Sequence, residues 1–412
     1  MATASEERWR PAARADGVAA SIKRTLDKPL TSYHLVLGVA GLLLALGLLM
    51  VLSASSVTSL NVYGNSYVIF IRQAIWVAVG LPLALLASRL PIGLVRFGAW
   101  PALALSVLLV ALTFVPGLGV AVNGNQNWLS LGGPIQLQPS EFAKLALVLW
   151  CADVYARKGK LLNQWRHMMV PMLPACALVV GLVVLQGDLG TALVLFAIVL
   201  GMLWVIGAPA RLFGGTLLGV AVLAFALASM QQERVARLTG FLHPIADYGS
   251  GGWQASHGFF ALATGGLWGS GIGASSQKWG NLPGAHTDFI FAIIGEELGL
   301  FGTLVVLALF VALAYAGIRI AVRTKDRFVR FASAGIVIWL LSQAMINIGM
   351  VLGLLPVIGI PLPLISYGGS ALVPTLVALG LLLAFARTEP GAAAALRARR
   401  KSRRRRSGQR EG

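Results

Sequence analysis

Asp288 lies in the stretch HTDFIFAIIGEELG, residues 286–299, with Glu296 and Glu297 behind it. Three carboxylates in one apolar segment are costly, because insertion scales charge about 2.5–3.5 kcal/mol for an acidic residue at mid-membrane. Such groups face a bundle interior or a wet cavity, where they handle protons, ions or polar substrates. His286 and Thr287 adjoin Asp288, and Lys278 lies ten residues earlier. These neighbours suit a carboxylate base acting on an anionic substrate. On a continuous helix Glu296 would sit about 12 Å deeper than Asp288 and about 80° around the axis. Glu297 would point to the far side. Neither can share a proton transfer with Asp288, and a structural pairing is expected for both.

Other polar residues offer weaker signals. Ser140 and Glu141, in QPSEFAK at 138–144, have the types expected of a helix N-cap and a first-turn acid. Lys144 follows Glu141 by one turn, so the two read either as a self-neutralising, snorkelling pair or as a substrate-facing cation with its companion. Asp188, in QGDLGT at 186–191, reads as a helix cap more than a catalyst, and Asp153 is placed to pair with Arg157. Arg72 reads equally as a snorkelling residue and as a contact for an anionic headgroup. Cys151 and Cys176 fall in separate apolar segments and read as packing residues, with no disulfide expected. No His/Cys/Asp cluster demands a metal.

The elements that position these residues are membrane helices. Hydrophobic residues make up 57% of the chain and charged residues 12%, about half the charged fraction of a soluble domain; mean hydropathy is +0.79. The expected fold is an all-α polytopic membrane protein with ten transmembrane helices near 33–55, 67–88, 97–115, 140–156, 168–186, 189–207, 211–230, 289–320, 331–352 and 367–387. With the N-terminus inside, 28 of the 33 Lys and Arg residues fall in cytoplasmic segments, so both termini are expected in the cytoplasm. On that topology Asp288, Asp188, Ser140 with Glu141, and the run LPVIGIPLPLISYGGS at 355–370 all open on the outer face. A long extracytoplasmic loop, 231–287, separates helices seven and eight. It is rich in aromatic residues and glycine, and Trp253 to Leu267 fits an amphipathic interfacial helix. Residues 1–32 and 388–412 read as basic cytoplasmic tails, the latter disordered. The tail block KSRRRR at 401–406 reads as a topology anchor or a contact for anionic lipid, not as a nucleic-acid surface.

Four motifs together resemble the SEDS family, which comprises FtsW, RodA and their sporulation relatives. They are QPSEFAKLALVLW (138–150), GDLGTA (187–192), SSQKWGNLPGAHTDFIFAIIGEELG (275–299) and LPLISYGGS (362–370), in family order across about residues 33–387. NGNQNWLSLGG (123–133) and the ending ISYGGS are similar to the division branch more than to the elongation branch. Gly187, Gly284 and Ala371 depart from the residues usual in the family motifs, as does WQASHGFFAL at 253–262.

The resemblance implies a peptidoglycan glycosyltransferase that polymerises lipid II at the outer face of the cytoplasmic membrane during septal wall synthesis. The family's essential aspartate maps onto Asp288, which becomes the expected general base. Its substrate-binding positions map onto Lys144 with Glu141, onto Gln277 and Lys278, and onto the turn Ser366 through Gly369, including Gly368. His286 and Arg72 join as neighbours, and Arg234 or Arg237 as further cations for pyrophosphate. The implied partners are lipid II, membrane lipids, an FtsI-like class B penicillin-binding protein and other division proteins. No cofactor is required, although a divalent cation could assist. A lipid II flippase and a non-catalytic scaffold for the transpeptidase are the alternatives.

Overall fold

The computed structural model describes residues 28–122, 124–130, 132, 136–229, 245, 252–392 and 394–395. Arg234, Arg237, most of the two tails and most of 230–251 lie outside the described residues. The first three helices are α1 (Thr31–Tyr63), α2 (Val68–Ala87) and α3 (Ile92–Leu112). Then come α4 (Pro139–Lys158), α5 (Trp165–Met169), α6 (Met172–Leu185), α7 (Leu189–Val205) and α8 (Ala210–Ser229). The last four are α9 (Trp253–Gly265), α10 (Ile290–Arg323), α11 (Arg327–Val351) and α12 (Gly369–Ala386).

Each segment expected to span is helical, and among the described residues seven helices are long and apolar enough to cross a membrane, counting α5 and α6 as one. The chain is an integral membrane protein. Three of the ten expected spans, α4, α7 and α8, fall outside those seven among the described residues: α7 has only 17 residues, and α4 carries Glu141, Lys144, Asp153, Arg157 and Lys158 within its 20 residues. The chain is mostly helical, with one small sheet beside the helices among the described residues. Residues 119–137 carry a three-stranded antiparallel sheet, β1 (Gly119–Val122), β2 (Asn125–Ser130) and β3 (Gln136–Leu137), in the order β1-β2-β3. Strands this short leave too little alternation for a sequence pattern to register.

Burial separates centre from rim. In its most apolar stretch α12 is 89% buried and α11 72%, whereas α2 is only 22% buried. The low-burial helices turn Leu, Ile and Phe outward, as lipid-facing helices do. α4 is buried along nearly its whole length. It packs between α3 and α11, while α12 packs on α2 and α10 packs on α1 and α11. The polar residues of α4 are therefore answered by neighbouring helices, as a bilayer requires. Asp153 accepts from Arg157 (2.7 Å), as its spacing predicts, and also from Arg96 (2.5 Å) and Trp100 (2.9 Å) of α3. Cys151 and Cys176 are free and buried.

α10 is not one rod. Gly299 adopts φ 67°, ψ −165° inside it, a left-handed conformation that glycine reaches without a Cβ penalty. The break frees backbone groups, and the segment after α9 satisfies them. Ser270 N donates to Glu296 O (2.9 Å), Gly271 N to Glu297 O (3.0 Å), and Leu300 N to Gly266 O (2.9 Å). Residues 290–297 are fully buried, whereas Phe301, Leu304, Val305 and Val311 beyond the break are exposed.

Candidate functional site

Asp288 does not cap α10: the N-cap position belongs to Phe289, and Asp288 lies in the turn before it. That turn is held through its main chain, with three successive carbonyls each bound from another element. His286 O accepts from Tyr367 N (2.9 Å), Thr287 O from Ser366 Oγ (2.5 Å), and Asp288 O from Asn347 Nδ2 (2.7 Å). Ser366 Oγ in turn accepts from Leu362 N (2.8 Å). The SYGG turn is therefore the clamp on the HTD turn.

The clamp is itself seated on α2. Gln73 Nε2 donates to Ser366 O (3.3 Å), and Gln73 Oε1 accepts from Gly368 N (3.3 Å). A Cβ on Gly369 would meet the Trp76 indole at 2.0–2.2 Å, so only glycine lets α12 begin this close to α2.

The Asp288 carboxylate is held more lightly than its backbone. It is half-buried, and among side chains of the described residues only the Thr287 hydroxyl donates to it, at 2.8 Å to Oδ1. Two left-handed glycines flank it. A Cβ on Gly284 (φ +74°) would approach Oδ1 to 2.1 Å, and one on Gly359 (φ +74°) would lie 4.0 Å from Oδ2. Gly284 is one of the departures from the family motif, and here it makes room for the carboxylate. Burial pushes the Asp288 carboxyl above the usual carboxylate range, against the Thr287 hydrogen bond. Burial also lowers His286, keeping its imidazole neutral near pH 7.

Arg72 supplies the cation at this rim. Its guanidinium donates to Tyr63 Oη (3.1 Å) and lies 4.8 Å from the Tyr63 ring centre. Its charge also acts on Tyr367, whose ring centre is 5.6 Å from that of His286. Arg72 and Tyr367 thus lie on the His286 side of the HTD turn.

The other expected cations are differently placed. Lys278 is engaged by Glu297 Oε1 (3.2 Å), Ser53 Oγ (3.3 Å) and Gly273 O (2.5 Å), and Gln277 Oε1 lies 2.6 Å from His257 Nδ1. Both are buried struts of the segment between α9 and α10, and the Lys278 ammonium, expected beside Asp288, is engaged by Glu297. Glu296 and Glu297 anchor the same segment. Glu296 accepts from Ser275 Oγ (2.5 Å), Ser276 N (2.7 Å) and Ser276 Oγ (2.7 Å). Glu297 accepts from Ser53 Oγ (2.6 and 2.8 Å), Ser275 N (3.3 Å) and Lys278.

Lys144 does pair with Glu141, at 2.7 Å, but it does not snorkel: the side chain is fully buried. Its ammonium also donates to Gln343 Oε1 at 2.9 Å. Asp188 caps α7 by accepting from Thr191 N (2.9 Å) and further accepts from Asn127 (2.9 Å), Gln138 (2.8 Å) and Thr191 Oγ1 (2.9 Å). Those bonds tie β2 and the start of α4 to α7. Gln73, Gln343 and Asn347 had drawn no attention in the sequence. Their signal was available, since amides are expensive in helices otherwise this apolar.

The structure therefore gathers Asp288, His286, Arg72, Ser366, Gly368 and Gly369 into one assembly, with Lys144 and Glu141 behind it. The family model of FtsW/RodA/SpoVE cell cycle proteins matches residues 33–390. The chain is 44% identical over 375 residues to the probable peptidoglycan glycosyltransferase FtsW of Mycobacterium tuberculosis, a match covering 91% of this chain and 71% of that protein. It is similar, with TM-score 0.70 and 30% identity over 86% of this chain and 97% of the other, to a structure solved to show the coordination of polymerization and crosslinking by a peptidoglycan synthase complex. It also resembles the crystal structure of the rod shape determining protein RodA of Thermus thermophilus, with TM-score 0.64 and 30% identity over 86% of this chain and 96% of that one. This chain is a member of the FtsW/RodA/SpoVE family.

Proposed function

We propose that this chain is a peptidoglycan glycosyltransferase that polymerises lipid II at the outer face of the cytoplasmic membrane, with Asp288 as general base. The observation that carries the reading is the contrast at the HTD turn. The main chain is bound at three successive carbonyls, while the carboxylate of this half-buried residue accepts from one side-chain hydroxyl among the described residues. A base needs a fixed origin and a free face.

The chemistry asks for one such group. Asp288 takes the proton from the 4-hydroxyl of the acceptor sugar as that oxygen bonds to the anomeric carbon of the donor. The bond from that carbon to the pyrophosphate oxygen breaks, and the lipid pyrophosphate leaves as an anion that needs no protonation. Arg72 at the rim faces that charge, and Arg234 and Arg237 are further candidates. Lys144 and Lys278, each in a buried ion pair, serve the frame. No resident cofactor enters this reading, and a divalent cation can assist by shielding the pyrophosphate. A class B penicillin-binding protein is the expected partner, and the septum the expected place of work.

The test is polymerisation of labelled lipid II by the purified protein in detergent, with its cognate transpeptidase present. Asp288→Asn is expected to lose about 10²–10⁴-fold in kcat while inserting normally. Polymer unchanged by that substitution would remove Asp288 from the reaction.

A further inference from the structure

Two amides on one face of α11 connect the site to the buried ion pair behind it. Gln343 and Asn347 are one turn apart, and both are buried. Gln343 Oε1 accepts from Lys144 Nζ (2.9 Å) and Trp339 Nε1 (2.9 Å), so its Nε2 is left to donate to Pro361 O (3.0 Å). Asn347 Nδ2 donates twice, to Ile360 O (2.7 Å) and to Asp288 O (2.7 Å). The two amides thus hold consecutive carbonyls, 360 and 361, of the segment that passes beside Asp288. Gly359, next in line, lies beside Asp288 Oδ2, where a Cβ would come within 4.0 Å of it.

We propose that Asn347 is a positioning residue for Asp288, and that Lys144 and Gln343 support it by holding the adjoining Pro361 carbonyl rather than acting on substrate. One side chain, Asn347, holds the main chain of the base and the carbonyl next to Gly359 by two equal bonds. The Lys144 charge selects which end of the Gln343 amide faces which partner, since an ammonium can bind only the oxygen. A buried ion pair is weak support for stability, because desolvation offsets its attraction. Fixing orientation is the use that remains for it here. Mere satisfaction of a core amide would not require Asn347 to join the Asp288 carbonyl to the segment that Gln343 also holds.

The inference rests on the reading of Asp288 as the base, and its test separates the two. Steady-state polymerisation is measured for wild type, Asn347→Ala, Asp288→Asn and the double variant, with lipid II concentration varied. The expected result for Asn347→Ala is a fall in kcat of about 10- to 100-fold, the scale of a base misplaced by about 1 Å. KM is expected to stay within about twofold. In the Asp288→Asn background the same substitution should cost nothing further, because a group that acts only through Asp288 has nothing left to position. Asn347→Ser, which keeps one donor, should recover part of the rate.

Wild-type kcat in Asn347→Ala, a loss carried by KM, or a full additional loss in the double variant would each overturn the inference and leave the Asp288 reading standing. Failure of both Asn347 variants to insert would also overturn it, in favour of a strut that serves folding alone. Full activity of Asp288→Asn would overturn the reading on which it rests.

Discussion

Asp288 and the pair Glu296–Glu297 are carboxylates of one short segment, yet their surroundings are opposite. Glu296 and Glu297 are buried and bound by hydroxyls, main-chain amides and an ammonium. Asp288 receives one side-chain hydroxyl among the described residues, while its backbone is bound instead. A carboxylate whose acceptor sites are filled is a structural tie, because any reaction must first break those bonds. One that is under-supplied, half-buried and anchored through its main chain is poised to take a proton. Satisfaction of the acceptor, more than depth in the membrane, distinguishes the two.

Glu297→Ala breaks the comparison hardest, because it strands the Lys278 ammonium in the interior. Removing one partner of a buried pair costs about 3–5 kcal/mol, so a lower melting temperature is expected, with faster proteolysis within 266–289. Asp288→Asn should leave both unchanged. Adding Lys278→Met to a Glu297→Leu variant should recover much of the loss, and no recovery would mean that the carboxylate does more than tie the segment.

Gly284→Ala probes the other side. The new methyl would lie 2.1 Å from Asp288 Oδ1 at φ +74°, so the carboxylate must move, and the backbone carries about 1–2 kcal/mol of strain. A fall in kcat of about tenfold is expected with little change in KM. An unaltered kcat would mean that the base tolerates displacement.

The smallest effect is on pH dependence. A base works only when deprotonated, and burial raises the Asp288 carboxyl above the ordinary range. Activity should therefore be lost as pH falls through that raised value, on an acid limb lying above the ~3.9 of a free aspartate. The profile of kcat/KM reports this group in the free enzyme.

The helical frame was legible because the bilayer leaves the chain few options: apolar runs must satisfy their own backbone. Asp288 was legible because a carboxylate beside His and Thr at the mouth of such a run is chemically conspicuous. The cap by Asp188 and the Asp153–Arg157 pair were legible from local spacing. What could not be read was tertiary. Gly299 breaks α10 just beyond both glutamates, so the single span expected at 289–320 is two helical pieces. Lys278 is near Asp288 in sequence but paired with Glu297 in space. Gln343 and Asn347 are visible as two amides in an apolar helix, yet their targets lie in a loop and on another element. The Ser366 motif was visible too, but its hold on Thr287 O depends on how α12 meets the HTD turn.

Lys144 has a consequence for how the chain is made. Its partner within one turn, Glu141, emerges with it, and Arg96 of α3 is already in place for Asp153. The amide that completes the Lys144 contacts is encoded 199 residues later. At about 5–20 residues per second, the ribosome needs about 10–40 s to deliver it. Through that interval α4 carries a half-answered charge, and a nascent chain stopped before α11 holds Asp288 without the residue that would seat it.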